Sequence, residues 1–133
     1  MKRIPIYYVL MKKANSDLKV ALRELSNKDA ELEIVCFHLQ QFVEKYLKAY
    51  LFFMGGEPKK IHNIVFLLNE CIAYNPILEI FKDSKIIELN ECGVDIRYEE
   101  TDEIEVEFIV GVKESVLELK TVIDKLISPL LEL

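Results

Sequence analysis

Residues 37–51 read FHLQQFVEKYLKAYL, and within them His38, Gln41, Lys45 and Lys48 follow at spacings of three, four and three. At about 100° per residue these intervals place the four side chains within roughly a quarter of an α-helix's circumference. Two ammonium groups, an imidazole and a carboxamide in one row suit an anionic group such as a phosphate, with Lys45 and Lys48 as point charges. Around the row stand Val35, Leu39, Phe42, Val43, Tyr46, Leu47 and Tyr50. A helix that is apolar over so much of its surface belongs in a core or an interface, where a polar row is costly unless it is satisfied. The plainer alternative is that the row is the wet face of a long surface helix. Glu44 and Lys48, an i,i+4 pair, support the helix by only about 0.2–0.5 kcal/mol whatever the row does.

Further candidates lie downstream. His62 follows Pro58-Lys59-Lys60 at the start of a predicted helix. There it can meet a phosphate together with the helix's free amides, or simply cap and pack. Arg97-Tyr98 sits among Asp95, Glu99, Glu100 and Asp102. The arginine is either a salt-bridge partner of those carboxylates or a fork aimed at a phosphate in the same groove. Cys36, His38, His62, Cys71 and Cys92 offer raw material for a metal. No pair has the short spacing of a zinc site, and Cys36 and His38, two apart on a helix, point away from each other, so no metal is expected. A Gly-rich phosphate loop, a Gly-x-Ser-x-Gly elbow and a Cys–His nucleophile pair are all missing, so neither a cofactor nor a catalytic group is assigned.

The elements that must position these residues follow from hydrophobic period. Tyr7, Leu10, Met11, Ala14, Leu18, Ala21, Leu22 and Leu25 recur at three- and four-residue intervals, a first amphipathic helix with Pro5 near its start. Ser26-Asn27 interrupts it and offers cap chemistry for a second helix over about 28–54, which Gly55-Gly56 ends. A third helix is predicted over about 62–74. Asn75-Pro76 opens a fourth, closing at Gly93. Residues 94–102 carry no period and read as a loop. Asp102 and Glu105 form a capping box for a last helix that Ser128-Pro129 should end. Ile109, Val112, Val116, Leu119, Ile123 and Leu126 alternate at three and four, a coiled-coil-like seam. Residues 104–108 (IEVEF) alternate like a strand, so the start of that helix is open. Short connections between five such helices make an all-α, up-and-down bundle, one domain over residues 1–133.

Composition narrows the function classes. The chain has 133 residues, 51% hydrophobic and 30% charged, with a net charge of −6. Residues 1–60 hold 11 basic and 7 acidic side chains, and residues 61–133 hold 6 and 16. The acidic total disfavours generic nucleic-acid binding, yet the basic residues gather in the half that carries the polar row. No run is apolar enough to span a bilayer, so no membrane role is expected. The start, MKRIPIYYVLMKKANSD, lacks a small-residue cleavage site and reads as structure. Three cysteines inside apolar patterns are expected to be buried free thiols of a cytoplasmic protein.

Taken together, FHLQQFVEKYLKAYL, the glycine pair after it, His62 with Leu67-Leu68, and Arg97-Tyr98 resemble the small prokaryotic HEPN (higher eukaryotes and prokaryotes nucleotide-binding) family. The resemblance covers nearly the whole chain, with its most specific part in His38, Gln41, Glu44, Lys45, Lys48 and Ala49. It implies a compact up-and-down helical bundle, usually a homodimer, with a polar cleft at or near the dimer interface. It also implies a nucleotide or RNA ligand, and a minimal nucleotidyltransferase partner in a toxin–antitoxin-like pair. Some members are metal-independent endoribonucleases with an Arg-x(4–6)-His motif, in which the arginine stabilises the phosphate and the histidine moves a proton. This chain has three arginines, Arg3, Arg23 and Arg97, and none has a histidine five to seven residues downstream; after Arg97 that window holds Asp102, Glu103 and Ile104. A carboxylate or an isoleucine cannot replace the histidine beside a phosphate. The leading expectation is therefore a non-catalytic binder using His38, Gln41, Lys45, Lys48, His62, Arg97 and Tyr98. The alternatives are a ribonuclease whose site has diverged to use His38 or His62, and a structural protein that oligomerises through the C-terminal seam.

Overall fold

Helix α2, Leu32–Phe53, is the hub of the molecule: α1 (Ile6–Leu25), α3 (Ile64–Tyr74) and α4 (Val106–Leu131) all pack against it. The computed structural model describes residues 3–58, 60–91 and 104–131. Between α3 and α4 the chain forms two 3₁₀ helices, Pro76–Asp83 and Lys85–Glu91, and the second also lies on α2 and α4. No strand occurs among the described residues, so IEVEF is not one; Ile104 and Glu105 precede α4 and Val106 begins it.

The central place of α2 follows from its sequence. Val35, Leu39, Phe42, Val43, Tyr46, Leu47 and Tyr50 are all buried, as the pattern predicts for a helix apolar over most of its surface. Met11, Ala14, Leu18 and Ala21 form the buried stripe of α1. Two alanines in that stripe let the helix backbones come close. Ile109, Val112, Val116, Leu119 and Ile123 of α4 are fully buried within this one chain. The seam is therefore an internal packing face, not an oligomerisation surface: α2 and the second 3₁₀ helix supply the partner side that sequence left open.

Helix ends account for most boundary differences. Ser26 closes α1, its hydroxyl donating to the Arg23 carbonyl, and does not cap α2. Glu24 bridges the connection instead, accepting from the Asn27 side chain and the Glu31 amide, so α2 starts at Leu32 and not near 28. At the other end Gly55 takes φ +91°, its N–H bonds the Phe52 carbonyl and the Gly56 N–H bonds the Leu51 carbonyl. That is a Schellman cap, and its left-handed residue is why a glycine stands there. Asn63 caps α3 by accepting from the Phe66 amide, which starts that helix after His62. The fourth helix expected to run unbroken to Gly93 is divided at Ser84, whose backbone is extended and whose hydroxyl bonds the Phe81 carbonyl. Serine competes with the helix for backbone partners, and the chain tightens into 3₁₀ turns on both sides. Finally α4 continues through Ser128-Pro129 to Leu131: a proline in a last turn removes only one hydrogen bond.

Cys71 is a buried free thiol, as expected, whereas Cys36 is disulfide-bonded, which departs from the expectation of three free thiols. Spacing alone cannot say which sulfurs a fold brings together. No helix is long and apolar enough to cross a membrane.

Candidate functional site

The polar row of α2 is built around two carboxylates. Asp17, on the flank of α1 beside the Ala14–Ala21 stripe, reaches over to α2 and takes two partners. His38 Nδ1 lies 2.9 Å from its Oδ1, and Lys45 Nζ lies 2.5 Å from its Oδ2. The Asp17 side chain is 13% exposed, against 25% for His38 and 27% for Lys45. One turn further, Glu44 is 5% exposed and is held by Lys48 Nζ at 3.1 Å and by Nδ1 of His62 from the loop before α3. Lys48 is nearly buried, while the His62 side chain is 76% exposed.

His38, Asp17, Lys45, Lys48, Glu44 and His62 thus run in line along α2. From His38 to Lys48 is ten residues, about 15 Å of helix axis. Each carboxylate occupies one ring nitrogen and one ammonium hydrogen. Each lysine carries three donors and keeps others for a ligand, and each imidazole keeps Nε2. Burying charge on this scale is tolerable only because the groups are paired and hydrogen-bonded. No buried polar side-chain atom among the described residues lacks a partner.

Gln41 lies half-buried in the same row and makes no hydrogen bond among the described residues. Four of the expected site residues, His38, Gln41, Lys45 and Lys48, therefore share one face, and His62 joins them through Glu44. Arg97 and Tyr98 lie outside the described residues. Sequence reasoning missed Asp17 and assigned Glu44 only a helix-pairing role. A signal existed for both. Asp17 falls three residues after Ala14 and four before Ala21, on the edge of a buried stripe. Glu44 interrupts the run Phe42-Val43-x-x-Tyr46-Leu47 on its inward side.

A second polar cluster joins three helices on the other flank of α1. The Tyr46 hydroxyl donates to Asp124 Oδ1 at 2.7 Å and accepts from Asn15 and Lys120, each at 3.3 Å. Lys120 also bonds Asp124 Oδ2 at 2.6 Å. Burial, then the hydrogen bond to Asp124, pushes the Tyr46 hydroxyl above the ordinary tyrosine value. For Lys120 burial pulls downward, but Asp124 and Tyr46 outweigh it and the ammonium is held above its usual range. Nothing in the sequence pattern singled out this cluster, because its members come from α1, α2 and α4. Among the described residues no group of three His, Cys, Asp or Glu side chains is placed to hold a metal ion.

The helical bundle packed around α2 coincides with a family match. The family model for the HEPN domain matches residues 7–125, nearly the whole chain. The chain belongs to the HEPN domain family. No curated protein and no solved structure matches it. Membership accounts for the all-α bundle and supports a role connected with nucleotides or RNA.

Proposed function

We propose that this HEPN domain binds the phosphate of a nucleotide or of RNA along the α2 row without cleaving it. One observation carries the proposal: Lys45, Lys48, His38 and His62 stand in line, each steered by Asp17 or Glu44, the lysines with N–H donors left over and the imidazoles with Nε2 turned away from the carboxylate. Orientation by a buried carboxylate cuts the entropy that a free lysine would lose on binding a phosphate. Calorimetric titration with nucleotides tests it. Lys45→Ala/Lys48→Ala should weaken binding at least tenfold, and equal affinity in variant and wild type, or no binding by either, counts against it.

Two finer statements belong to the same reading. The chain acts as a homodimer, and its partner is a minimal nucleotidyltransferase in a toxin–antitoxin-like pair. Support for the dimer comes from Ile34 and Phe37, 46% and 45% exposed on the face of α2 beside His38. The partner rests on the resemblance of the core motif, and co-purification with the product of an adjacent nucleotidyltransferase gene tests it.

One observation favours a second reading, a metal-independent endoribonuclease. Glu44 holds Nδ1 of His62 while the ring stays open to solvent, which leaves Nε2 as a positioned proton acceptor. RNA cleavage in EDTA that disappears in His62→Ala or His38→Ala establishes this reading; intact RNA after prolonged incubation removes it.

A further inference from the structure

A cavity of about 410 Å³ lies outside the row, and two of its lining residues are close in sequence to members of the row. Leu51 forms part of its wall, and Leu51 follows Lys48 by three residues on the same side of α2, about 4.5 Å further along the axis. Ile61, next in the chain to His62, forms another part. Phe66 and Tyr74 of α3, 46% and 44% exposed, also line it. Gly56 admits the Tyr74 hydroxyl, which lies 3.2 Å from where a Cβ would stand. Among the described residues the charged groups that line this cavity are Glu57 and Glu70, and neither has a hydrogen-bond or ion-pair partner there.

Two aromatic residues, the apolar side chains of Leu51, Ile61 and Leu67, and two carboxylates form a receptor for a flat group that offers donors on one edge. Nucleobases stack on such rings for about 1–3 kcal/mol each, and their Watson–Crick edges are read by hydrogen bonds. The bases differ in what they offer a carboxylate. Guanine presents N1–H and the N2 amino group on neighbouring atoms, a bidentate match. Adenine and cytosine offer one amino group each. Uracil offers one N–H between two carbonyl oxygens that a carboxylate repels.

We infer that this cavity is a base-recognition pocket selective for guanine, holding the base of a nucleotide or RNA whose phosphate lies at Lys48 and His62. The inference rests on the phosphate-binding reading above for its second half, while the pocket itself stands on the cavity, its aromatic residues and its two carboxylates. The two carboxylates repel a phosphate from the cavity, which orients the ligand with its base inward and its phosphate toward the lysines.

Calorimetry with GMP, AMP, CMP, UMP and guanosine, with residue contacts followed by ¹⁵N NMR shifts, tests both halves separately. GMP should bind at least tenfold more tightly than UMP. Glu57→Gln/Glu70→Gln should abolish that ratio by weakening GMP and tightening UMP, and Phe66→Ala should weaken GMP more than UMP. Lys45→Ala/Lys48→Ala should weaken all four nucleotides alike and leave guanosine unaffected. Equal affinity for the four nucleotides overturns the pocket and leaves the row standing. Guanosine binding with no effect of the lysines upholds the pocket and overturns the row. Binding of none of the five overturns both. If an arginine-rich peptide shifts the Phe66 and Glu70 signals and GMP does not, the cavity receives basic side chains of a protein and the inference fails.

Discussion

Glu44 is the residue on which the α2 row depends most. Nearly buried, it neutralises Lys48 and fixes His62, so its removal strands an ammonium in a poorly hydrated place. Glu44→Gln keeps the volume and removes the charge. It should cost about 1–3 kcal/mol in urea unfolding, and a loss below a few tenths would mean that the ion pairs contribute nothing. Cys71 offers a test of burial at a single atom. Its thiol donates to the Leu47 carbonyl at 3.4 Å, and burial pushes its pKa up from 9.0 to about 12. The fold therefore holds a proton that the unfolded chain releases. The thiol's contribution to stability is full below about pH 9 and is lost as pH rises toward 12. Tyr46 and Lys120, both raised, add losses of the same sign that begin above their ordinary values of 10.0 and 10.5. Urea unfolding between pH 8 and 11 should show falling stability, less steep in Cys71→Ala. A flat profile in the wild type would contradict the burial of this thiol.

At the scale of elements, the C-terminal end of α2, the interior of α4 and the hydroxyl that joins α1, α2 and α4 make separate predictions. Gly55→Ala puts a Cβ on a left-handed residue with open space around it, so the cost is backbone strain alone, about 1–2 kcal/mol. Gly111 lies inside α4, and a Cβ there would meet the Lys85 side chain, its ammonium nitrogen at 2.6 Å. Lys85 is exposed and can swing away, so Gly111→Ala should stabilise by up to about 1 kcal/mol through helix propensity. A loss on thermal melting would show that Lys85 is held in place. Tyr46→Phe keeps the ring stacked on Phe42 at 4.3 Å but deletes the hydroxyl that ties α1, α2 and α4 together. The expected cost is about 1–2 kcal/mol, with nucleotide binding at the row unchanged.

For the whole molecule the question is what the solvent-facing side of α2 meets. Ile34 and Phe37 sit beside His38, so a dimer formed there would close one side of the phosphate row. Sedimentation equilibrium should give a dimer for the wild type and a monomer for Ile34→Asp/Phe37→Asp; a wild-type monomer at tens of micromolar removes the proposal. With a net charge of −6, binding of a phosphate ligand works against the overall field and depends on the local row. Affinity should weaken as salt rises in wild type and respond much less in Lys45→Ala/Lys48→Ala.

Hydrophobic period alone was enough to place α1, α2 and the buried face of α4, because a stripe at three- and four-residue spacing has one way to bury itself. It also placed His38, Gln41, Lys45 and Lys48 together, since one helix carries all four. What period cannot contain is any contact between elements. Asp17 reaches the row from α1 and His62 from the loop before α3, Tyr46 finds Asp124 on α4, and the cavity of Phe66, Tyr74, Glu57 and Glu70 exists only where α3 and the loop before it fold against Leu51. Local forces stop at one helix, and the carboxylates that turn a polar stripe into an organised site come from tertiary packing.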